Sequence, residues 1–274
     1  MTEFLPLWQR ALTAEVCWVD TEGRPAAIAA TPLLDRGVAA IALPYSRATE
    51  AAGLRTASRV AFAVTDSRSL RRERPGAVRV GTPEVVDDVE GDHFAVELLR
   101  QELVKYPPSR ALADSPLLCR ENWWWLPRVI VRLGASGPAR DLPARTNPER
   151  HALLVGSGSE GPRVDVVDVV DVVDVAAAGP GARDLRVAPL DGRDSGPGDG
   201  RALVFGHDYT MPDLERWETW SASGTLTGRD LAVTHREGEP GGALAPLRLW
   251  QRVRRQKTLE RECKHHIRVA ENRR

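Results

Sequence analysis

Apolar and polar positions in the first half of the chain alternate in short runs, punctuated by turn residues. Leu5, Trp8 and Leu12 fall at helical spacing within Thr2–Ala14, with Thr2 placed to cap the helix. Val16–Val19 and Ala26–Ala30 flank the turn DTEGRP, where Gly23 can take a positive φ, and the pattern is that of a β-hairpin. Val38–Leu43 reads as a third strand, Arg47–Ala57 as a short helix and Val60–Thr65 as a fourth strand. AVRVGTPEVV (Ala77–Val86) makes a fifth strand and Val129–Leu133 a sixth. Between these last two, Phe94, Leu98, Leu99 and Leu103 line one face of a helix that Asp92 caps and Tyr106-Pro107-Pro108 ends. Strands in meander order with two short helices predict a small antiparallel barrel.

The second half is less regular. PARDLPARTNPER reads as a linker (143–150 at its core), and residues 151–245 as a smaller α+β domain. Within it, RALVFGHDYT opens with a strand. MPDLERWETW predicts a helix anchored by Leu214, Trp217 and Trp220, and SASGTLTGRDLAVTHREG predicts a hairpin turning at TGRD. VDVVDVVDVVDV (164–175) repeats with a period of three, which suits neither a helix face nor strict strand alternation; it reads as part strand, part loop. The tail, 246–274, is a basic helix with Leu249, Val253, Gln256 and Leu259 on one narrow stripe.

Composition narrows the function classes. The 274 residues carry 38 Lys+Arg against 38 Asp+Glu, a net charge of zero that argues against a wholesale nucleic-acid or membrane binder. Cys17, Cys119 and Cys263 are scattered and odd in number, so they predict neither a disulfide framework nor a zinc site. No secretory signal pattern opens the sequence, and no apolar run is long enough to span a bilayer. A reduced, cytoplasmic protein is expected.

Ser46 and Arg47 stand where a strand ending at Pro44 meets a helix start. Free N–H groups and a guanidinium there suit an anion, with Arg55, the basic loop of Arg68, Arg71, Arg72 and Arg74, and Arg79 as further contributors; the alternative is an ordinary helix cap with solvated arginines. NWWW (Asn122–Trp125) offers indole rings for packing or for stacking on a planar ligand. His207, Asp208 and Tyr209 offer an acid/base cluster or a satisfied strand end. The spacing of Cys263, His265 and His266 does not gather them on one helix face for a metal, and no calcium loop surrounds the Val-Asp repeat.

The order of VDTEGRPAAIAATPL, GVAAIALPYSRATEAAGLRTASRVAFAVTD, AVRVGTPEVVDD and WLPRVIVRL resembles the flavin-binding split-barrel superfamily, typified by the pyridoxamine 5′-phosphate oxidases. The resemblance covers roughly the first half of the chain (1–142). It implies a mainly β fold: a six-stranded antiparallel split β-barrel, here joined to the smaller C-terminal α+β domain and the C-terminal helix. It also implies a homodimer and a cofactor, usually FMN, with F420 or haem in some branches. Carried over, Ala29, Ala30 and Thr31 lie near the ring and Ser46 and Arg47 near the phosphate, with Arg55, Thr65 and Arg79 at the ribityl chain or phosphate. The implied activity is hydride transfer to or from a small-molecule substrate. Members commonly carry a lysine shortly after the Ser/Arg pair; here Ala48, Thr49 and Glu50 stand instead. Glu50 opposes a phosphate unless it points away. The alternatives are therefore a substitute role for Arg55, a different cofactor, or a binding or scaffold protein with no cofactor.

Overall fold

The computed structural model describes residues 3–70, 74–113, 124–171, 184–192, 198–241, 244–245 and 247–272. The first unit is an eight-stranded antiparallel sheet. Its strands are β1 (Ala14–Val19), β2 (Pro25–Ala30), β3 (Pro32–Asp35), β4 (Val38–Pro44), β5 (Val60–Val64), β6 (Gly76–Asp88), β7 (Arg128–Ser136) and β8 (Arg140–Leu142). The expected six are present; β3 and β8 are additional. The order β2-β1-β5-β6-β7-β4-β3 brings the sheet round until its two ends, β2 and β3, are consecutive in the chain, separated by Thr31. β2 pairs with β1 and β3 pairs with β4, and the barrel is split between its edge strands β2 and β3.

Local chemistry explains the elements. In the β1–β2 turn, Asp20 Oδ1 accepts the N–H groups of Glu22 and Arg24 at 2.9 and 2.8 Å, and Gly23 takes φ +75°. The N-terminal helix α1 (Phe4–Arg10) buries Phe4, Leu7 and Trp8, and Trp8 stacks on Phe62 in the barrel core at 4.9 Å. Thr2, the expected cap, lies outside the described residues. The helix expected from Asp92 to Tyr106 is a π-helical turn (Phe94–Leu98) followed by α3 (Leu99–Lys105), and α4 (Pro107–Ala113), beyond the expected end, is additional; α2 (Ala52–Thr56) precedes them. The cap is Asp88 rather than Asp92: its carboxylate accepts the N–H groups of Phe94 at 2.7 Å and His93 at 3.3 Å. Pro107 ends α3 and opens α4, because a proline lacks only an N–H that a first helical residue would leave unpaired.

The second unit is a closed barrel. Its strands are β9 (His151–Gly158), β10 (Gly161–Asp171), β11 (Leu185–Pro189), β12 (Gly200–Tyr209), β13 (Trp217–Thr227) and β14 (Asp230–Glu237). The helix expected at MPDLERWETW does not form. Asp213 accepts from Thr210 Oγ1 and from the Glu215 N–H, which makes a turn, and Trp217 and Trp220 belong to β13 on opposite faces. The Val-Asp repeat is strand as far as Asp171, and the rest lies outside the described residues. Its period of three is tolerated because both faces of β10 are covered. Val164 and Val166 pack toward the first sheet, while Val167 and Val169 pack inside the barrel.

The two units share a core. Cys17, Ala29, Ala61, Ala63 and Val78 of the first sheet meet Leu153, Val155, Val164, Val166, Leu203 and Phe205 of the second barrel. The alanines let the sheets approach closely. A charged cluster with no exposed side chain pins the same junction: Glu15 Oε1 accepts from Thr65 Oγ1, Arg145 Nη2 and His207 Nε2, each at 2.8 Å. The last helix, α5 (Leu249–Glu271), returns to the first unit. Its packed stripe is Cys263, Ile267 and Ala270, shifted toward the C-terminal half from the stripe expected at Leu249–Leu259, while Trp250 and Val253 are exposed.

Candidate functional site

A cleft of about 1450 Å³ opens along the split of the first barrel. Its floor is β2 and the end of β4. One wall is β12 and β13 of the second barrel, and α5 closes a side. All these walls belong to one chain. Its lining includes the aromatic residues Trp18, Tyr106, Trp124, Trp125, Phe205, Trp217 and Trp220 among charged side chains of both signs.

Five of the eight residues expected to hold a cofactor line this cleft: Ala29, Ala30, Thr31, Ser46 and Arg47. Ala29 and Ala30 are 2% and 3% exposed and face the two cores on either side of β2, so they form the rim rather than an open platform. The other three lie elsewhere. Arg55 makes a bidentate pair with Asp87 at 2.8 and 2.7 Å. Thr65 is buried in the Glu15 cluster, donating to Glu15 and accepting from Arg145 Nε at 2.9 Å. Arg79 donates to the Gly137 carbonyl at 2.8 Å and lies 5.9 Å from the Phe4 ring.

The turn after β4 is short. Tyr45–Arg47 is a single 3₁₀ turn, and α2 begins only at Ala52. The donors expected to meet a phosphate already have partners. Ser46 N–H donates to Cys263 Sγ at 3.3 Å. Arg47 reaches Glu50 through Nε at 3.0 and 2.9 Å and through Nη2 at 2.6 Å, and its Nη1 donates to the Ala29 carbonyl at 3.0 Å, bridging toward β2. Glu50 therefore points at Arg47 and neutralises it. These residues do not fit the phosphate of FMN at this turn.

Beside this turn, where Pro44 pairs with Arg128 of β7, lie residues that local pattern reading missed. Arg128, 3% exposed, donates from Nη2 to Glu102 Oε1 at 3.2 Å, and its guanidinium lies 4.0 Å from the Phe94 ring. Ser109 Oγ donates to the same Glu102 oxygen. Burial raises the Tyr106 hydroxyl above its ordinary range, and Arg255, Arg47 and Arg128 act in the opposite sense. Arg252 pairs with Glu215 at 2.8 Å. Tyr106 meets Trp217 edge-on at 6.1 Å. The signal for Glu102 and Arg128 was weak: Glu102 is one of several polar residues in the amphipathic stretch LLRQELVK, and a strand arginine in an arginine-rich chain draws no attention.

The other expected clusters are structural here. His207 is fully buried beside Glu15, Asp208 pairs with Arg68 at 2.8 Å, and Tyr209 lies 3.8 Å beneath the Arg68 guanidinium. Arg71, Arg72, Asn122 and Trp123 lie outside the described residues, as does Cys119. Among the described residues no group of three or more His, Cys, Asp or Glu side chains is placed to hold a metal ion, and no helix is long and apolar enough to cross a membrane.

By sequence, no protein family and no curated protein matches the chain. By structure, the chain is similar to HutZ, the heme storage protein from Vibrio cholerae, at 12% identity and a TM-score of 0.37, over 51% of this chain and 92% of that one. A conserved hypothetical protein from Mycobacterium tuberculosis is similar at 18% identity and a TM-score of 0.36, over 52% and 84%. A heme binding protein from Mycobacterium smegmatis aligns over 97% of this chain and 99% of its own, at 12% identity and a TM-score of 0.33.

Proposed function

We propose that the chain is a split-barrel binding protein that holds a planar, largely apolar ligand in the cleft between its two barrels. The observation that carries this reading is the cleft itself: about 1450 Å³, lined by Trp18, Trp124, Trp125, Tyr106, Phe205 and Trp217, with its marginal charges paired as Arg47–Glu50, Arg128–Glu102 and Arg252–Glu215. Ligand sites of this type are concave and mostly apolar, with few polar groups to orient the ligand, and usually occupy about 300–1,000 Å³. The size suits a multi-ring molecule. The split-barrel resemblance supplies the candidates: a flavin, F420 or a haem. A haem would find one imidazole on the cleft wall among the described residues, His235. Any redox chemistry would be the ligand's, with the chain supplying packing and orientation.

The test is the visible spectrum of the purified full-length chain, followed by calorimetric titration with riboflavin, FMN, F420 and haemin. Saturable one-to-one binding of a planar ring, weakened by Phe205→Glu in the cleft wall, is the expected result. Heat from none of the four would overturn the reading.

A further inference from the structure

The cleft has hydrogen-bond donors without acceptors. Trp125 Nε1, Trp217 Nε1, Trp220 Nε1 and Arg128 Nε all belong to cleft-lining residues, are covered from water, and have no partner among the described residues. Trp125 and Arg128 are 4% and 3% exposed as whole residues. A buried polar group without a partner costs about 1–3 kcal/mol, so four around one cavity call for an explanation. Trp220 also packs into the core of the second barrel, across Gly206. The unpartnered carboxylate oxygens, Glu15 Oε2 and Asp165 Oδ2, belong to residues outside the cleft. The imbalance in the cleft therefore has one sign: donors in surplus.

The Arg128 guanidinium is 5.9 Å from the Trp125 ring, and Trp217 meets the Tyr106 ring edge-on at 6.1 Å. This end of the cleft also faces Arg255.

Resting on the reading of the cleft as a ligand site, we infer that its ligand is an aromatic acid, whose carboxylate or phosphate oxygens accept from Trp125, Arg128 and Trp217 while its ring lies against the aromatic wall. Arg128 serves because its Nη2 alone meets Glu102 and its Nε has no partner among the described residues, whereas Arg47 has both Nε and Nη2 on Glu50. Indole N–H groups pay no desolvation penalty of a full charge, so they recognise an anion in a dry site without themselves needing a counter-ion.

The experiment compares pairs that share a ring and differ in the acid: 2-naphthoate with 2-naphthamide, and FMN with riboflavin. Binding to the full-length chain is read by calorimetry in wild type, Trp125→Phe and Trp217→Phe. Phenylalanine keeps a ring in place and deletes the donor. The acid of at least one pair should bind about tenfold tighter than its neutral partner, a preference of charge-assisted hydrogen bonds. That ratio should fall to about two- or threefold in each variant while the neutral partner binds as before. A preference confined to the first pair identifies a carboxylate, and one confined to the second a phosphate. Equal binding of acid and neutral partner in both pairs, or a ratio unmoved by both substitutions, would overturn the inference and leave the cleft as a ring site. Failure of all four compounds would overturn the cleft reading as well. If a variant does not fold, the wild-type ratios decide.

Discussion

The backbone N–H of Ser46 donates to Cys263 Sγ at 3.3 Å, joining two residues 217 positions apart. A thiol near the C-terminal end thereby takes the place at the β4 turn where sequence reasoning put an anion. Cys263 is 1% exposed, and burial raises its thiol above the ordinary range. A thiol in that state is inert until the helix lifts.

Cys263 should therefore resist modification in the native protein. With Cys119→Ser removing the cysteine outside the described residues, labelling by an aromatic disulfide should be slowed roughly a thousandfold relative to the unfolded chain, because it waits on opening of α5. Mass spectrometry locates the label. Rapid native labelling at Cys263 would show that α5 does not rest on Ser46.

Glu50 holds Arg47 through three hydrogen bonds, and its substitution separates the two readings of the β4 turn. Glu50→Gln leaves the guanidinium charged and less tightly held. The pair is partly exposed, so stability should change by less than about 1 kcal/mol. Affinity for inorganic phosphate at low salt should rise about fivefold or more, as expected when a guanidinium is released to a charged acceptor. An unchanged phosphate affinity by calorimetry would mean that the site lacks more than a free arginine.

Much of the first unit was legible in the sequence because its signals are local. The Asp20–Gly23 turn, the alternating strands and the Tyr106-Pro107-Pro108 break each report on their own neighbourhood. The cleft was only half legible. Ser46, Arg47 and the β2 alanines were found by position in the strand order, but nothing near Arg47 says that Glu50 would turn toward it. Glu102 meets Arg128 across 26 residues, and Cys263 meets Ser46 across 217; pairs that distant leave no mark on local periodicity. The second barrel misled for another reason. Leu214, Trp217 and Trp220 have helical spacing, yet the turn chemistry of Thr210 and Asp213 overrode it and delivered the two tryptophans to opposite faces of a strand.

The Glu15–Arg145–His207 cluster makes the barrel junction sensitive to acid. Burial pushes Glu15 up, but Arg145, His207 and Thr65 outweigh it and hold the carboxyl below its ordinary 4.5. Burial and then Arg145 push His207 below 6.5, against the pull of Glu15 and Asp66. The histidine is thus neutral in the fold and takes a proton more readily when unfolded, so stability falls as pH drops below 6.5. Glu15 adds a second loss below 4.5, where the unfolded chain protonates it first. Urea titrations from pH 7 to 4 should show both stages. Glu15→Gln leaves Arg145 buried without its carboxylate and should cost about 3–5 kcal/mol at pH 7. His207→Gln should remove the slope between pH 6.5 and 5, and a slope that survives would assign the acid sensitivity elsewhere.

Lys105 gives the opposite lesson, a buried amine with no carboxylate partner among the described residues. Its Nζ donates to the carbonyls of Pro32 at 2.5 Å and Trp8 at 3.4 Å, tying α3 to β3 and α1, and the residue is 8% exposed. Burial lowers its pKa from 10.5 to about 7. Between those values the unfolded chain holds more protons than the folded one, so this lysine makes stability rise with pH from about 7 to about 10.5. Lys105→Met replaces the charge with a flexible apolar chain of similar length but gives up the two carbonyl contacts. Desolvation outweighs those contacts while the amine is forced neutral, so the variant should be more stable near pH 7 by about 1–3 kcal/mol. The advantage should shrink toward pH 10, where the unfolded lysine begins to lose its own proton and the wild type recovers its two hydrogen bonds at little cost. Parallel urea denaturation at pH 7, 8.5 and 10 measures it. A variant less stable by the same amount at every pH would show that the ammonium is solvated in the folded protein and that Lys105 acts as a plain hydrogen-bond donor.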